Sequence, residues 1–305
     1  IKYYMCFIRS IYKGIIYVDG FLKKKPFIIA VYVNDPSYMN GVFCELAANE
    51  GITLYHNKYP YRLTRFTNSA RLPAREYFCV HPNKLNSDLK AGKTIYKNIL
   101  IKTEEIPYMS SVKFGVARRD LEWTRAHAVV YAHSFTDAQQ DQGGDHSFLS
   151  VYDWLIYTLN ELRGKKVILK AHPGFYREGY ETSVINWDRE IWERLLQQVK
   201  IGNSVQVIDW PMRHVDLLNS LNKDCLLVSH HGNALIEGGG LGFKCLCSTA
   251  TPWKNYSLFN SWNTRKEYST MLRNPDRLKK TSPEKVYEYV YDLYSDDNSF
   301  ASKKG

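Results

Sequence analysis

From residue 126 onward the chain alternates short, largely apolar runs with longer stretches of helical period, and few architectures accommodate that alternation. The runs are AVVYAH (Ala128 to His133), KVILK (Lys166 to Lys170), VQVID (Val205 to Asp209), CLLVS (Cys225 to Ser229) and KCLCS (Lys244 to Ser248). Between them Tyr152, Leu155, Ile156 and Leu159 fall at i, i+3, i+4 and i+7, one face of a helix, and Gly164 suits its stop. A second helix is predicted from near Asn186, with Asp188 and Glu190 in its first turn and Ile191, Leu195 and Val199 as its apolar stripe. A short helix is predicted over 215–221 and another from about Asn233. A last helix opens on Ser282-Pro283-Glu284 and runs to about Tyr294, with Val286, Val290 and Leu293 on one face. Strands joined through helices cannot pair as hairpins. They pair in parallel through crossovers, so residues 126–305 read as one doubly wound α/β domain.

Residues 1–125 are less regular. FIIAVYV, GITLYH and NILIKT are predicted strands, and GVFCELAANEG is a predicted helix between the first two. That suggests a second α/β layer, and a chain of 305 residues has length for two domains. The formal net charge is +10, and all of it falls within residues 1–125; from 126 onward basic and acidic residues cancel. A basic N-terminal part predicts an acidic partner, such as an anionic membrane, an acidic glycan or nucleic acid; the plain alternative is a solvated surface. No apolar run reaches the roughly 18 residues of a spanning helix. No signal-peptide pattern is visible, and the six cysteines form no C-x-x-C pair. The expectation is a cytoplasmic protein with reduced thiols.

In doubly wound sheets ligands bind beyond the carboxyl ends of the strands, and three polar clusters fall there. The first is the loop SFTDAQQDQGGDHSF (Ser134 to Phe148), in which Asp137 is placed to act as a general base or, equally, to cap a turn. The second is His172-Pro173, where proline holds the preceding histidine extended; that histidine either donates to a phosphate or carboxylate oxygen or lies on an exposed turn. The third is SHHGNALIEGGGLG (Ser229 to Gly242), a strand end running into a helix. Gly232 permits close backbone approach, Ser229 and Asn233 are candidate caps, and a helix start there would suit a phosphate. Glu237, one turn on, either meets ribose hydroxyls or faces solvent. Gly238, Gly239, Gly240 and Gly242 follow the helical pattern rather than precede it. They fail the G-x-G-x-x-G dinucleotide fingerprint and are expected to end the helix and pack it on the next strand.

There is no G-x-S-x-G elbow, no P-loop and no H-E-x-x-H. His230 and His231 with His133 or His146 lack metal-ligand spacing, so no metal and no cofactor are expected. The aromatics do not interleave with basic residues, which argues against nucleic acid as partner.

Taken together, the D-A-Q loop, K-x-H-P and the Ser/Gly helix start with its internal glutamate resemble the bacterial capsule and lipopolysaccharide glycosyltransferases, in particular the capsule polysaccharide biosynthesis proteins that include 3-deoxy-manno-octulosonic acid (Kdo) transferases. The likeness covers roughly residues 128–255. It implies a GT-B fold, two Rossmann-like domains whose parallel sheets face a central cleft. Here that would make 1–125 the acceptor-side domain and 126–305 the nucleotide-sugar domain, with the last helix (283–294) packing back on the first. The resemblance further implies Asp137 as catalytic base and His172, with Pro173, at the donor phosphate. Ser229, His231, Gly232 and Asn233 would lie around the nucleotide and Glu237 at the ribose. It implies a CMP-activated acidic sugar such as Kdo as donor, no metal, and a glycan or lipid-linked acceptor at the inner leaflet of the membrane. SHHGN departs from the plainer Ser/Thr-Gly pattern of the family, which leaves another CMP-nonulosonate or an NDP-hexose open as donor. A sugar-nucleotide epimerase, a glycerophosphotransferase and a basic nucleic-acid-binding module are the competing readings.

Overall fold

The computed structural model describes residues 16, 20, 23, 30–33, 53–58, 62–66, 88–101, 125–135, 147–176, 183–198, 204–249, 251, 253 and 256–294. The contact pattern divides the chain in two. One unit comprises Ile1–Phe78 with Gln140–Gly143 and Tyr294–Gly305; the other comprises Cys79–Gln139 and Gly144–Leu293. The boundary drawn from the sequence at 125/126 therefore falls inside the second unit. The helix predicted over GVFCELAANEG lies outside the described residues.

The first unit contains a three-stranded sheet, β1 (Ala30–Val33), β2 (Thr53–Lys58) and β3 (Arg62–Phe66), in that order. β1 and β2 run parallel, with Ala30 opposite Thr53, and β2 and β3 run antiparallel, with Leu54 opposite Phe66. Two of the predicted strands are present; β3 is additional.

The second unit opens with α1 (Leu89–Ile101), and here the sequence reading is corrected. Residues 98–101 of the predicted strand NILIKT are the last turn of this helix. A short apolar run fits either period, and the start decides it. Asp88 Oδ1 accepts from Lys90 N at 2.9 Å and from Ala91 N at 3.0 Å, satisfying amides that a helix start leaves bare.

The remaining elements are β4 (Ala128–Tyr131), α2 (Val151–Glu161), β5 (Val167–Lys170), α3 (Ser183–Gln198), β6 (Val205–Ile208), α4 (His214–Ser220), β7 (Leu226–Ser229), α5 (Ala234–Gly240), β8 (Lys244–Ser248), β9 (Asn260–Trp262), α6 (Arg265–Arg273) and α7 (Pro283–Tyr294). The six strands form one parallel sheet in the order β6-β5-β4-β7-β8-β9. Numbered within this sheet the order is 3-2-1-4-5-6, so the winding reverses between β4 and β7. β4, β5, β7 and β8 are buried along their whole length, as a parallel sheet covered on both faces requires.

Strand alternation sorts the core. Val130, Leu169, Val228 and Leu246 pack with Trp154 and Leu155 of α2, Leu195 of α3 and Tyr268 of α6. On the opposite face Leu227 meets α5 so closely that a Cβ on Gly238 would lie 2.1 Å from its Cδ1. Gly238, Gly239 and Gly240 thus form the last turn of α5, and the helix packs on the following strand β8 as well as on β7, with α1 beside it. A Cβ on Gly240 would lie 2.2 Å from the Tyr96 ring. Gly242, at φ 81°, makes the turn out, as Gly164 at φ 79° does after α2.

α3 differs from its prediction in phase. It begins at Ser183, and the buried residues among those after its first turn are Asp188, Trp192 and Leu195, while Ile191 is half-buried. Asp188, expected in the first turn, lies beyond it and is a buried acceptor.

α7 fits its prediction: Val286 and Val290 are fully buried, and Ser282 Oγ accepts from Lys285 N at 3.4 Å. It lies against α1, within the second unit. Gly92 is the contact point, where a Cβ would sit 2.2 Å from the Tyr287 carbonyl oxygen. In Gly92→Ala the gain in helix propensity, about 1 kcal/mol, opposes an overlap with backbone that no rotamer relieves, costing typically ~1–3 kcal/mol. The overlap should win, and urea unfolding should show a net loss of about 1 kcal/mol or more; an unchanged or higher midpoint would contradict this packing.

Candidate functional site

The central strands pair in strict register, Tyr131 opposite both Lys170 on β5 and Ser229 on β7. Side chains two residues apart on a strand share a face. The next residues on that face are therefore His133, His172 and His231, one from each strand exit. Their rings bear this out: His133 lies 5.5 Å from His172 and 3.9 Å from His231, centroid to centroid. The intervening Ala132 and Ala171 belong to the opposite core, and His230 points there too, edge-on to Trp154 at 5.7 Å and Trp262 at 6.2 Å. Two polar rows result: Lys170, Tyr131 and Ser229 below, and three histidines above at the carboxyl edge. They straddle the reversal of winding between β4 and β7, where ligands of doubly wound sheets bind.

The backbone sets the proton of His172. Pro173 begins a 3-10 turn, Pro173–Tyr176, which brings the Gly174 N–H to His172 Nδ1 at 3.1 Å. Nδ1 accepts, so the neutral ring carries its proton on Nε2 and presents an N–H donor. Gly174 is needed for this, because a Cβ there would lie 2.8 Å from Nδ1. His133 has the other tautomer: its Nδ1 is 3.3 Å from the Ser134 carbonyl oxygen, which can only accept. His231 is 4% exposed. Its Nδ1 lies 2.7 Å from His230 Nδ1, and its buried Nε2 meets no hydrogen-bond partner among the described residues. Burial, then the neighbouring His133, His230 and His172, hold its pKa well below the ordinary imidazole range. The free site thus keeps His231 neutral at pH 7.

Beneath this row runs a directed chain of hydrogen bonds. The Glu237 carboxylate on α5 can only accept, so His214 Nδ1–H donates to its Oε2 at 2.6 Å. In the neutral ring His214 Nε2 then accepts from the Tyr131 hydroxyl, also at 2.6 Å. Lys170 is 5% exposed, and burial lowers its pKa to about 8 against the opposing pull of Glu237.

The residues singled out from the sequence distribute as follows. His172, Ser229, His231, Gly232 and Glu237 lie at or just below the edge between β5 and β7. Ser229 Oγ accepts from Gly232 N at 3.0 Å and a Cβ on Gly232 would lie 2.8 Å from it, so Ser229 closes the turn before α5 rather than capping the helix. Asn233 sits at the helix start without a side-chain cap bond. Glu237 is buried and held by His214, not solvated. Asp137 lies outside the described residues, as does His146. The first turn of its loop is fixed all the same: Asp188 accepts from Ser134 Oγ at 2.5 Å and from Phe135 N at 2.8 Å. His133, Lys170, Asp188 and His214 were not recognised as site residues from the sequence. Aligned strand exits would have shown two of them, since YAH, KAH and SHH each place a polar residue two before a histidine. Asp188 and His214 act across long sequence separations and leave no local signal.

Among the described residues no group of three or more His, Cys, Asp or Glu could hold a metal ion. No helix among them is long and apolar enough to cross a membrane.

One known structure shares this architecture over most of the chain. The Thermosulfurimonas dismutans KpsC, a beta Kdo 2,4 transferase, aligns over 86% of this chain and 78% of its own, with a TM-score of 0.51 and 14% identity. At that identity the likeness shows the fold alone. The fold is GT-B-like. AviGT4, a glycosyltransferase involved in avilamycin A biosynthesis, matches over 57% of this chain and 48% of its own with a TM-score of 0.29 and 11% identity, too low to support an argument. No protein-family model and no curated protein matches the sequence.

The buried ammonium gives a prediction of definite sign. Lys170 has a folded pKa of about 8, below its ordinary value of 10.5. Between those values the unfolded chain binds the extra proton, so this group makes stability rise with pH across that window; below it the full penalty stands. Lys170→Met should therefore be more stable than the parent near neutral pH, by up to about 3 kcal/mol, with the gain fading toward pH ~10. Urea titrations at both pH values check this; a parent more stable at neutral pH would contradict it.

Proposed function

We propose that this chain is a glycosyltransferase that moves a sugar from a nucleotide-activated donor, of the CMP-activated acidic type such as Kdo, to a glycan or lipid-linked acceptor, without a metal. The observation that carries the reading is the histidine row at the point where the sheet reverses its winding. It offers a fixed Nε2–H from His172 and an unpartnered buried nitrogen from His231 at one edge. The KpsC-like fold supports a Kdo-type donor, since KpsC is a beta Kdo 2,4 transferase.

The chemistry follows from charge. As the glycosidic bond to the nucleotide breaks, negative charge grows on the phosphate, and N–H donors already oriented toward it lower the barrier without reorganisation. His172 supplies one such donor, with Pro173 and Gly174 fixing the ring. Ser229, Gly232 and Asn233 shape the turn beside the phosphate. Glu237, oriented by His214, meets the ribose. In an inverting transfer Asp137 deprotonates the acceptor hydroxyl as it attacks the anomeric carbon, and Asp188 anchors the root of its loop. The basic residues of 1–125 hold an acidic acceptor or the anionic inner leaflet, which makes the protein cytoplasmic and peripheral.

A thermal-shift comparison of CMP, CDP, UDP and GDP tests this. CMP at about 100 times its Kd should stabilise by about 2.7 kcal/mol, a rise of several degrees, and His172→Ala should remove it. Asp137→Asn should keep the shift while transfer falls by about 10²–10⁴. No response to any nucleotide would overturn the reading, and full transfer by Asp137→Asn would remove Asp137 as base.

A further inference from the structure

We propose that a cavity at the exits of β8 and β9 is the subsite for the uncharged, hydroxyl-bearing body of the donor's sugar, and that it distinguishes the sugar conjugate from the bare nucleotide. The inference rests on the reading of the edge at His231 as the donor-phosphate site and names what lies on the far side of that phosphate.

The cavity continues the sheet face that carries the site. Val228 pairs with Leu246, and Cys247 pairs with Ser261. One step along the ladder Ser229 and Cys247 come level, and Ser248 N donates to the His230 carbonyl oxygen at 3.0 Å, which joins the two exits. The row of Lys170, Tyr131 and Ser229 therefore runs on through Cys247 to Ser261, and Thr249 extends the row of His231. Cys247, Thr249 and Ser261 line a cavity of ≈ 360 Å³, walled on its other sides by Trp253, Ser257 and Phe259 from the connection between β8 and β9. Small-molecule sites span roughly 300–1,000 Å³. With strands about 4.8 Å apart, the cavity floor begins one strand from His231 and ends two strands away, about the reach of a single sugar.

Its lining sets the class of ligand. Among the described residues that line it none is charged. Burial pushes the Cys247 thiol up to about 12 against the opposing pull of Trp253 and Thr251, so that wall stays neutral. Serine and threonine hydroxyls donate and accept alike, which matches the hydroxyls of a sugar. Trp253 is 2% exposed and packs against Phe259 and Tyr289, with ring centroids 5.6 and 6.2 Å away, and so leaves little face for a nucleobase to stack on. Its Nε1–H is buried and makes no hydrogen bond among the described residues. Such a donor favours a ligand oxygen. Ser257, at φ 48°, holds the left-handed region that favours glycine, a strain that clusters at ligand clamps.

Position selects the part of the donor. Glu237 is tied through His214 to Tyr131 of β4, and its charge acts on Lys170 of β5. The ribose side of the phosphate is thus toward β4 and β5, and the cavity lies on the opposite side of His231. In a CMP-activated 2-ulosonic acid the phosphate and the carboxylate share the anomeric carbon. Both charges stay at the edge beside His231, and only the hydroxylated remainder of the sugar enters the neutral cavity.

Calorimetric titrations with CMP and with freshly prepared CMP-Kdo test this. The parent should bind CMP-Kdo at least about tenfold more tightly than CMP. Ser261→Leu fills the cavity and should cancel that difference, with CMP affinity kept within about twofold. Trp253→Phe keeps an aromatic ring without the N–H and should weaken CMP-Kdo by about 3–10-fold without changing CMP. A merely structural role for these residues would weaken both probes alike. Equal affinity of the parent for the two probes, or a full preference for CMP-Kdo in both variants, would overturn the inference and leave the nucleotide reading standing. Equal loss of CMP and CMP-Kdo in Ser261→Leu at an unchanged melting temperature would also overturn it, because the nucleoside would then occupy the cavity. Binding of neither probe to the parent would remove the reading and the inference together.

Discussion

The in-register pairing of β5, β4 and β7 is the constraint on which the rest depends. Hydrogen bonds of a parallel ladder place Tyr131, Lys170 and Ser229 at one level. The two-residue period of a strand then places His133, His172 and His231 at the next. A shift of one residue in any strand would exchange His133 with Ala132, His172 with Ala171, or His231 with His230, moving a polar group into the opposite core. That core is packed by Trp154, Trp262 and Tyr268, which leaves no such freedom. Burial of the apolar face thus fixes the chemistry of the polar one.

The two rows differ in what they ask of a ligand. In the lower row Tyr131, His214 and Glu237 satisfy one another in a single donor-to-acceptor direction. Such a network is rigid because each member leaves the next unpaired if it moves. In the upper row His231 keeps a buried nitrogen without a partner among the described residues. An unpartnered buried polar atom costs on the order of 1–3 kcal/mol, and a site that recovers this on binding has a built-in preference for being filled.

Much of the second unit was legible in the sequence. Runs such as VILK, LLVS and KCLCS are too short for helices, and Gly164 and Pro283 mark helix ends for reasons of backbone geometry. The misreadings have physical causes. NILIKT looked like a strand because its three apolar residues fit either period, and the Asp88 cap that decides the matter lies ten residues upstream. The role of Asp188 left no local signal because its two donors, Ser134 and Phe135, are more than fifty residues away. β3 was missed because RLTRF has neither strict alternation, Thr64 and Arg65 being adjacent polar residues, nor a continuous apolar run. The site was legible in part. His172, Ser229, His231, Gly232 and Glu237 followed from the rule that ligands meet strand ends. His133 needed the exits laid side by side, and His214 needed the fold itself.

A structure determined with CMP bound tests the central claim most directly. The account predicts phosphate oxygens within hydrogen-bond distance of His172 Nε2 and His231 Nε2, above the carboxyl ends of β5, β4 and β7. A nucleotide bound elsewhere, or a phosphate with no contact to either histidine, would contradict it.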